Sequence, residues 1–216
     1  MPSLRLLLYV AILCSSPLVA SAGDITALTQ STFKANRGVV LLQVNWGRKW
    51  PCGKFENAQI EALTFTQWPP AASTPVVLSL ETPSRLMVDN SFVPYALVVA
   101  PGQYALSGYD VKAAHSKTDV GHFHATTADL IKDGKPLGGT FSVSPGEIVY
   151  IGHFGLDCKF NPIPWRYYVE GRDEFERYVS GFRKKFPFAK DTPVQYRLFS
   201  TQMLGEEYGL ENPTVK

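Results

Sequence analysis

The sequence predicts a mostly β protein, an antiparallel β-sandwich with one C-terminal amphipathic α-helix. Three observations predict it. Runs of β-branched and aromatic residues recur between turn signals at about ten-residue spacing. The dipeptide Pro-Gly follows an apolar run twice, at Pro101-Gly102 and Pro145-Gly146. There proline presets one dihedral and glycine accepts a positive φ. A single stretch near the C-terminus, 173–186, carries helical periodicity. Composition agrees: of 216 residues, 45% are hydrophobic and 19% charged, with a formal net charge of +2. So apolar a chain is not disordered. So neutral a chain lacks the clustered Lys/Arg of a nucleic-acid binder, and no nucleic-acid partner is expected.

The elements follow in order. Residues 1–22 read as a secretory signal peptide, with Arg5 as the charged start, Leu6 to Leu13 as the apolar centre and Ala20-Ser21-Ala22 as a small-x-small cleavage site. The apolar run falls short of the roughly 18 residues that a spanning helix needs, and Pro17 interrupts it. The mature chain is therefore expected to be exported, periplasmic or at the cell surface, with no transmembrane segment. Cys14 raises the alternative of lipidation, but Leu13 stands where lipoprotein signals carry a small residue, so cleavage after Ala22 is the expectation. Residues 23–204 are expected to form one domain, with 205–216 as a tail.

Within the domain, Gly38 to Trp46 reads as a largely buried strand. Residues 47–54 are a turn or loop, and Ala58 to Trp68 favours strand through Thr64-Phe65-Thr66. Pro69 to Pro75 is a loop. Further strands are expected at Val76 to Leu80, Arg85 to Val88, Pro94 to Val99, Gln103 to Tyr109, Phe141 to Ser144 and Glu147 to Gly152. In Phe141-Ser142-Val143-Ser144 the apolar and polar residues alternate, the pattern of a half-buried strand. The helix is expected to start at an Asp173/Glu176 capping box. It aligns Phe175, Tyr178, Val179, Phe182 and Phe186 on one core-facing side. Arg183-Lys184-Lys185 occupy its last turn as a solvated end, and Pro187 stops it. A last strand, Val194 to Phe199, follows.

Two groups could carry chemistry. Signal cleavage removes Cys14 from the three cysteines and leaves Cys52 and Cys158. In an oxidising compartment that pair reads as a disulfide, with two independent buried thiols as the alternative. The chain's four histidines, His115, His122, His124 and His153, all fall within residues 115–153. If Gly121-His122-Phe123-His124 is extended, both imidazoles lie on one face, where Zn²⁺ or Cu²⁺ could bridge them. His115 or His153 would then be further ligands, and Asp119 or Asp129 could add a carboxylate. The His-x-His pair resembles that of exported cupins, although the carboxylate expected shortly after it is absent. Templates for hydrolases, nucleotide binding and zinc proteases are missing. Trp46, Trp50, Trp68 and Trp165 read as core or loop anchors.

At Leu97 to Tyr104 and Gly139 to Gly152 the chain resembles uncharacterised bacterial envelope proteins and lipoproteins with a prealbumin-like, or carboxypeptidase-regulatory-like, β-sandwich. These share a strand ending in Pro-Gly-x-Tyr and a second reading Phe-x-Val-x-Pro-Gly-Glu before Val-Tyr-Ile-Gly. The resemblance covers about residues 76–155 and implies a fold without catalytic residues. The expectation that follows is an exported, non-catalytic envelope module binding protein, glycan or lipid. The alternative is a metal-binding or metal-dependent enzyme built on His122 and His124.

Overall fold

The computed structural model describes residues 26–48, 51–70, 75–84, 89–158, 162–167 and 171–201. The expected signal peptide, the strand at Arg85 to Val88, Trp50 and the tail lie outside them. In chain order come β1 (Thr26–Ala27), β2 (Gly38–Asn45), β3 (Asn57–Trp68), β4 (Val77–Glu81), β5 (Phe92–Val99), β6 (Gly102–Ala114) and β7 (Val120–Ala125). A one-turn helix α1 (Thr127–Leu130) leads to a small hairpin, β8 (Ile131–Lys132) and β9 (Lys135–Pro136). Then follow β10 (Thr140–Val143), β11 (Ile148–Asp157), β12 (Ile163–Tyr167), α2 (Gly171–Lys185), a 3₁₀ turn at Pro187–Ala189, and β13 (Val194–Tyr196).

These strands build two sheets. The first has the order β1-β5-β2-β11-β12, with β13 beside β11; the second has the order β10-β6-β3-β4, with β7 beside β6. The expected antiparallel sandwich is present, with one refinement. In the first sheet β2 and β13 both run parallel to β11. Parallel neighbours need long crossovers, and here the chain between β2 and β11 traverses the whole second sheet.

Two cores result. Between the sheets lie Val40, Leu42, Val44 and Trp46 from the β2 side against Ile60, Leu63, Phe65, Leu106 and Val111. On the outer side of the first sheet, Val39, Leu41, Val98, Ile148 and Tyr150 pack against Phe175, Val179 and Phe182 of α2. The first sheet is thus covered on both faces, which is why Val39 to Leu42 reads as an uninterrupted apolar run rather than an alternation.

Bulges keep these faces consistent. Pairing of β3 with β6 shifts at Glu61 and again at Ser107, so Ala58 and Ile60 point inward before the first shift, and Leu63 and Phe65 after it. In β11 the shift falls between Tyr150 and His153, at Gly152, whose φ of 109° suits glycine. Val149 and Ile151 face the inter-sheet core, and after the bulge Phe154 and Leu156 do so. His153 is thereby turned outward, beneath α2.

The helix start corrects the expected cap. α2 begins at Gly171, so Asp173 sits inside its first turn. Glu176 accepts from Arg172 one turn earlier, at 3.0 Å from Nε and 2.9 Å from Nη2, and does not reach back to Asp173. The last strand is also shorter than expected, at Val194–Tyr196, but its pairing continues irregularly. Phe199 N–H donates to Ile151, and Ser200 exchanges hydrogen bonds with Thr140.

Candidate functional site

Where α2 crosses β2 and β5 it leaves a groove of about 360 Å³. Its floor is Leu41 and Gln43 of β2 with Pro94 to Ala96 of β5. Its wall is two rows of α2 at four-residue spacing, which lie side by side on a helix. The inner row is Tyr178, Phe182 and Phe186; the outer row is Arg177, Gly181 and Lys185. The aromatic stripe read as core therefore has a second role. Phe182 is 7% exposed and packs in the outer core, yet its row also lines the open groove.

The outer row sets the electrostatics. Among the described residues, two cations and no carboxylate line the groove. Lys185, read as part of a solvated helix end, lies with its Nζ 5.6 Å from the Phe186 ring centroid. Between the cations, Gly181 leaves a notch, and a Cβ built there would meet no heavy atom within 4 Å. Sequence reasoning passed over this groove. The available signal was a glycine inside a helix, which is unfavourable there unless the missing side chain matters.

At the N-terminal end of α2 the site continues into an aromatic nest around His153. The ring centroids of Tyr150 and Tyr178 are 4.9 Å apart, and His153 lies 5.5 Å from Tyr150, 5.6 Å from Tyr178 and 5.1 Å from Phe92. Burial pushes the His153 pKa down to about 4, against the weaker opposing pull of Glu174. Its Nε2 is buried with no hydrogen-bond partner among the described residues. Burial likewise raises the Tyr178 hydroxyl.

The remaining histidines lie elsewhere, on the second sheet. His122 and His124 do share one face of β7, exposed, opposite Lys112 and Asp110 of β6. His122 Nδ1 is 3.4 Å from Glu61 Oε2. His115 stacks at 4.4 Å on Phe55, and its Nδ1 donates to the Lys54 carbonyl at 2.7 Å, which places the ring proton there. Asp129 is engaged by Thr126, whose N–H and Oγ1–H both donate to it at 2.8 Å; the backbone bond leads in holding its carboxyl below the usual range. His153 belongs to the first sheet, so the four histidines form no single cluster. Among the described residues no group of three or more His, Cys, Asp or Glu side chains is gathered as a metal site.

Cys52 and Cys158 form a buried disulfide with Cα atoms 4.9 Å apart. It ties the tight turn at Cys52 to Phe55 onto the end of β11, and it removes both sulfurs from nucleophilic chemistry. Trp46 is fully buried and donates from Nε1 to Tyr95 Oη at 2.8 Å, an anchoring role as expected. Trp68 is partly buried at the end of β3, and the side chain of Trp165 lies outside the described residues. A second concavity of about 470 Å³ is of mixed charge, with Arg48, Lys112 and Lys117 beside Glu56. Among the described residues no helix is long and apolar enough to cross a membrane. No protein-family model, curated protein or solved structure matches the chain.

Proposed function

We propose that the protein is an exported, non-catalytic envelope module that holds an apolar ligand in the groove between α2 and the first sheet. The observation that carries this reading is the groove itself. It is a concave, largely apolar surface with a few polar groups at its rim, the usual constitution of a small-molecule site. Export is supported by the disulfide, which persists in oxidising compartments. The resemblance to bacterial envelope proteins supports the cellular setting. Of the ligand classes expected from the sequence, a lipid suits aromatic walls better than a glycan does, because a glycan would leave its hydroxyls unpaired there.

The test uses the neutral fluorescent probe N-phenyl-1-naphthylamine and the variant Gly181→Leu. The space around Gly181 is open, so the leucine is accommodated without disturbing the fold and projects into the groove. The expected result is saturable one-to-one binding by the native protein and loss of binding in the variant at a Tm no lower than the native one. No saturable binding by the native protein, or equal binding by the variant, would overturn the reading.

A further inference from the structure

We infer that the ligand is a monomeric single-chain amphiphile with a carboxylate head. The head sits in the Gly181 notch between Arg177 and Lys185, and the chain runs over Phe182 toward the floor of β2. This inference rests on the groove reading above and adds the chemistry of the head.

Arg177 and Lys185 line the groove, with no acidic residue among its described walls. Among the described residues neither takes part in an ion pair, whereas Arg172 and Arg197 both do. Two unneutralised cations beside an apolar groove favour a ligand that brings its own negative charge.

The spacing of the two cations suits one small head group. Gly181 is four residues from each cation, about 6 Å along the helix axis on either side. Both long side chains can therefore bend over the same notch, and the guanidinium fork matches a planar carboxylate. Any larger residue at 181 would separate the two cations. Since nothing in the fold presses on that position, the absence of a side chain is unexplained by packing. It is explained by a head group seated there.

Phe182 and Leu41 are recessed within the groove and almost fully buried. A flat bilayer surface cannot reach them, but a single extracted chain can enter along the helix. From the Gly181 notch such a chain passes over Phe182 to Leu41 and Ala96 on the groove floor.

Dodecanoate and dodecanol, each below its micellar concentration and at pH 7.5, are titrated by calorimetry into the native protein and into Arg177→Gln/Lys185→Gln. The native protein is expected to prefer the acid by about tenfold, the scale of two partly exposed charge pairs. The double variant is expected to lose that preference. Equal affinity for acid and alcohol in the native protein, or a preference that survives in the variant, overturns the carboxylate inference while leaving the apolar groove reading intact. Binding of neither compound overturns both. Light scattering provides the remaining outcome: a native dimer that Gly181→Leu dissociates would assign the groove to a second copy of the chain and overturn the inference.

Discussion

Arg197 and Glu147 meet in a bidentate ion pair, Nη1 to Oε2 at 2.7 Å and Nη2 to Oε1 at 2.7 Å. Glu147 Oε2 also accepts from the Ser144 backbone N–H at 2.8 Å. The carboxylate thus closes the Pro145-Gly146 turn between β10 and β11 and fastens the segment after β13 onto it. That segment joins the two sheets, because β13 pairs with β11 while Ser200 bridges to Thr140 of β10.

Replacing Glu147 with Gln should destabilise the protein by about 1 kcal/mol at pH 7, since the pair is partly exposed. The Arg197 guanidinium, through its hydrogen bonds, holds the Glu147 carboxyl below its usual 4.5. A depressed carboxylate stabilises the fold above its unfolded pKa and loses that contribution as pH falls through the folded value. The difference between native and Glu147→Gln urea unfolding should therefore shrink at pH 3. A difference that persists undiminished would assign the effect to packing instead.

The Cys52–Cys158 bridge spans a sequence separation of 106 residues. The chain-entropy model assigns a loop of that size on the order of 4 to 5 kcal/mol. Replacing both cysteines with serine should lower unfolding free energy by roughly that amount, and the native protein with reductant should match the double variant. In the absence of reductant, denatured protein lacking the first 22 residues should give no thiol labelling. A full equivalent of free thiol would count against the bridge.

Much of the fold was legible because its signals are local. Val39 to Val44, Phe141 to Val143 and the Phe175, Val179 and Phe182 stripe each state their element through periodicity and burial. What periodicity does not state is where a strand changes face. The bulge at Gly152 decides that His153 lies under α2 and not in the inter-sheet core, and one inserted residue is enough to do it. The histidines illustrate the same gap. His122 and His124 share a strand face as their spacing implied, yet His153 is near them only in sequence. The groove was hidden for another reason. Leu41, Ala96 and Phe182 look like any core residues until the tertiary crossing of α2 over β2 and β5 leaves part of their surface open.

His153 should make stability pH-dependent from pH 6.5 down to about 4. Its pKa is pushed down to about 4 by burial, from an ordinary 6.5. The fold therefore favours the neutral ring, and the contribution is fully present above pH 6.5 and lost as pH falls toward 4. The full shift corresponds to on the order of 3 kcal/mol. Because its Nε2 has no partner among the described residues and its ring neighbours are Tyr150, Tyr178 and Phe92, His153→Phe should fold at pH 7.5. Its unfolding free energy should then decline much less than that of the native protein between pH 6.5 and 4.5. Parallel declines would show that other groups carry the acid sensitivity.

Two glycines should respond to alanine with opposite signs. At Gly181 the new methyl meets open space on a helix, so Gly181→Ala should stabilise the protein by about 0.5 to 1 kcal/mol through helix propensity. At Gly139 the backbone φ is +113°, and a Cβ would collide with the Phe199 ring and lie 2.7 Å from the Ser200 carbonyl oxygen. That oxygen accepts from the Thr140 N–H where the chain crosses between sheets, so it cannot move freely. Strain and overpacking together should cost about 3 kcal/mol in Gly139→Ala. Thermal unfolding of both variants measures the contrast: a higher Tm for Gly181→Ala and a markedly lower one for Gly139→Ala. The contrast separates a glycine the fold demands from one it merely tolerates. If Gly181→Ala instead lowered Tm, the notch would be part of the packing, and its vacancy would no longer call for a ligand.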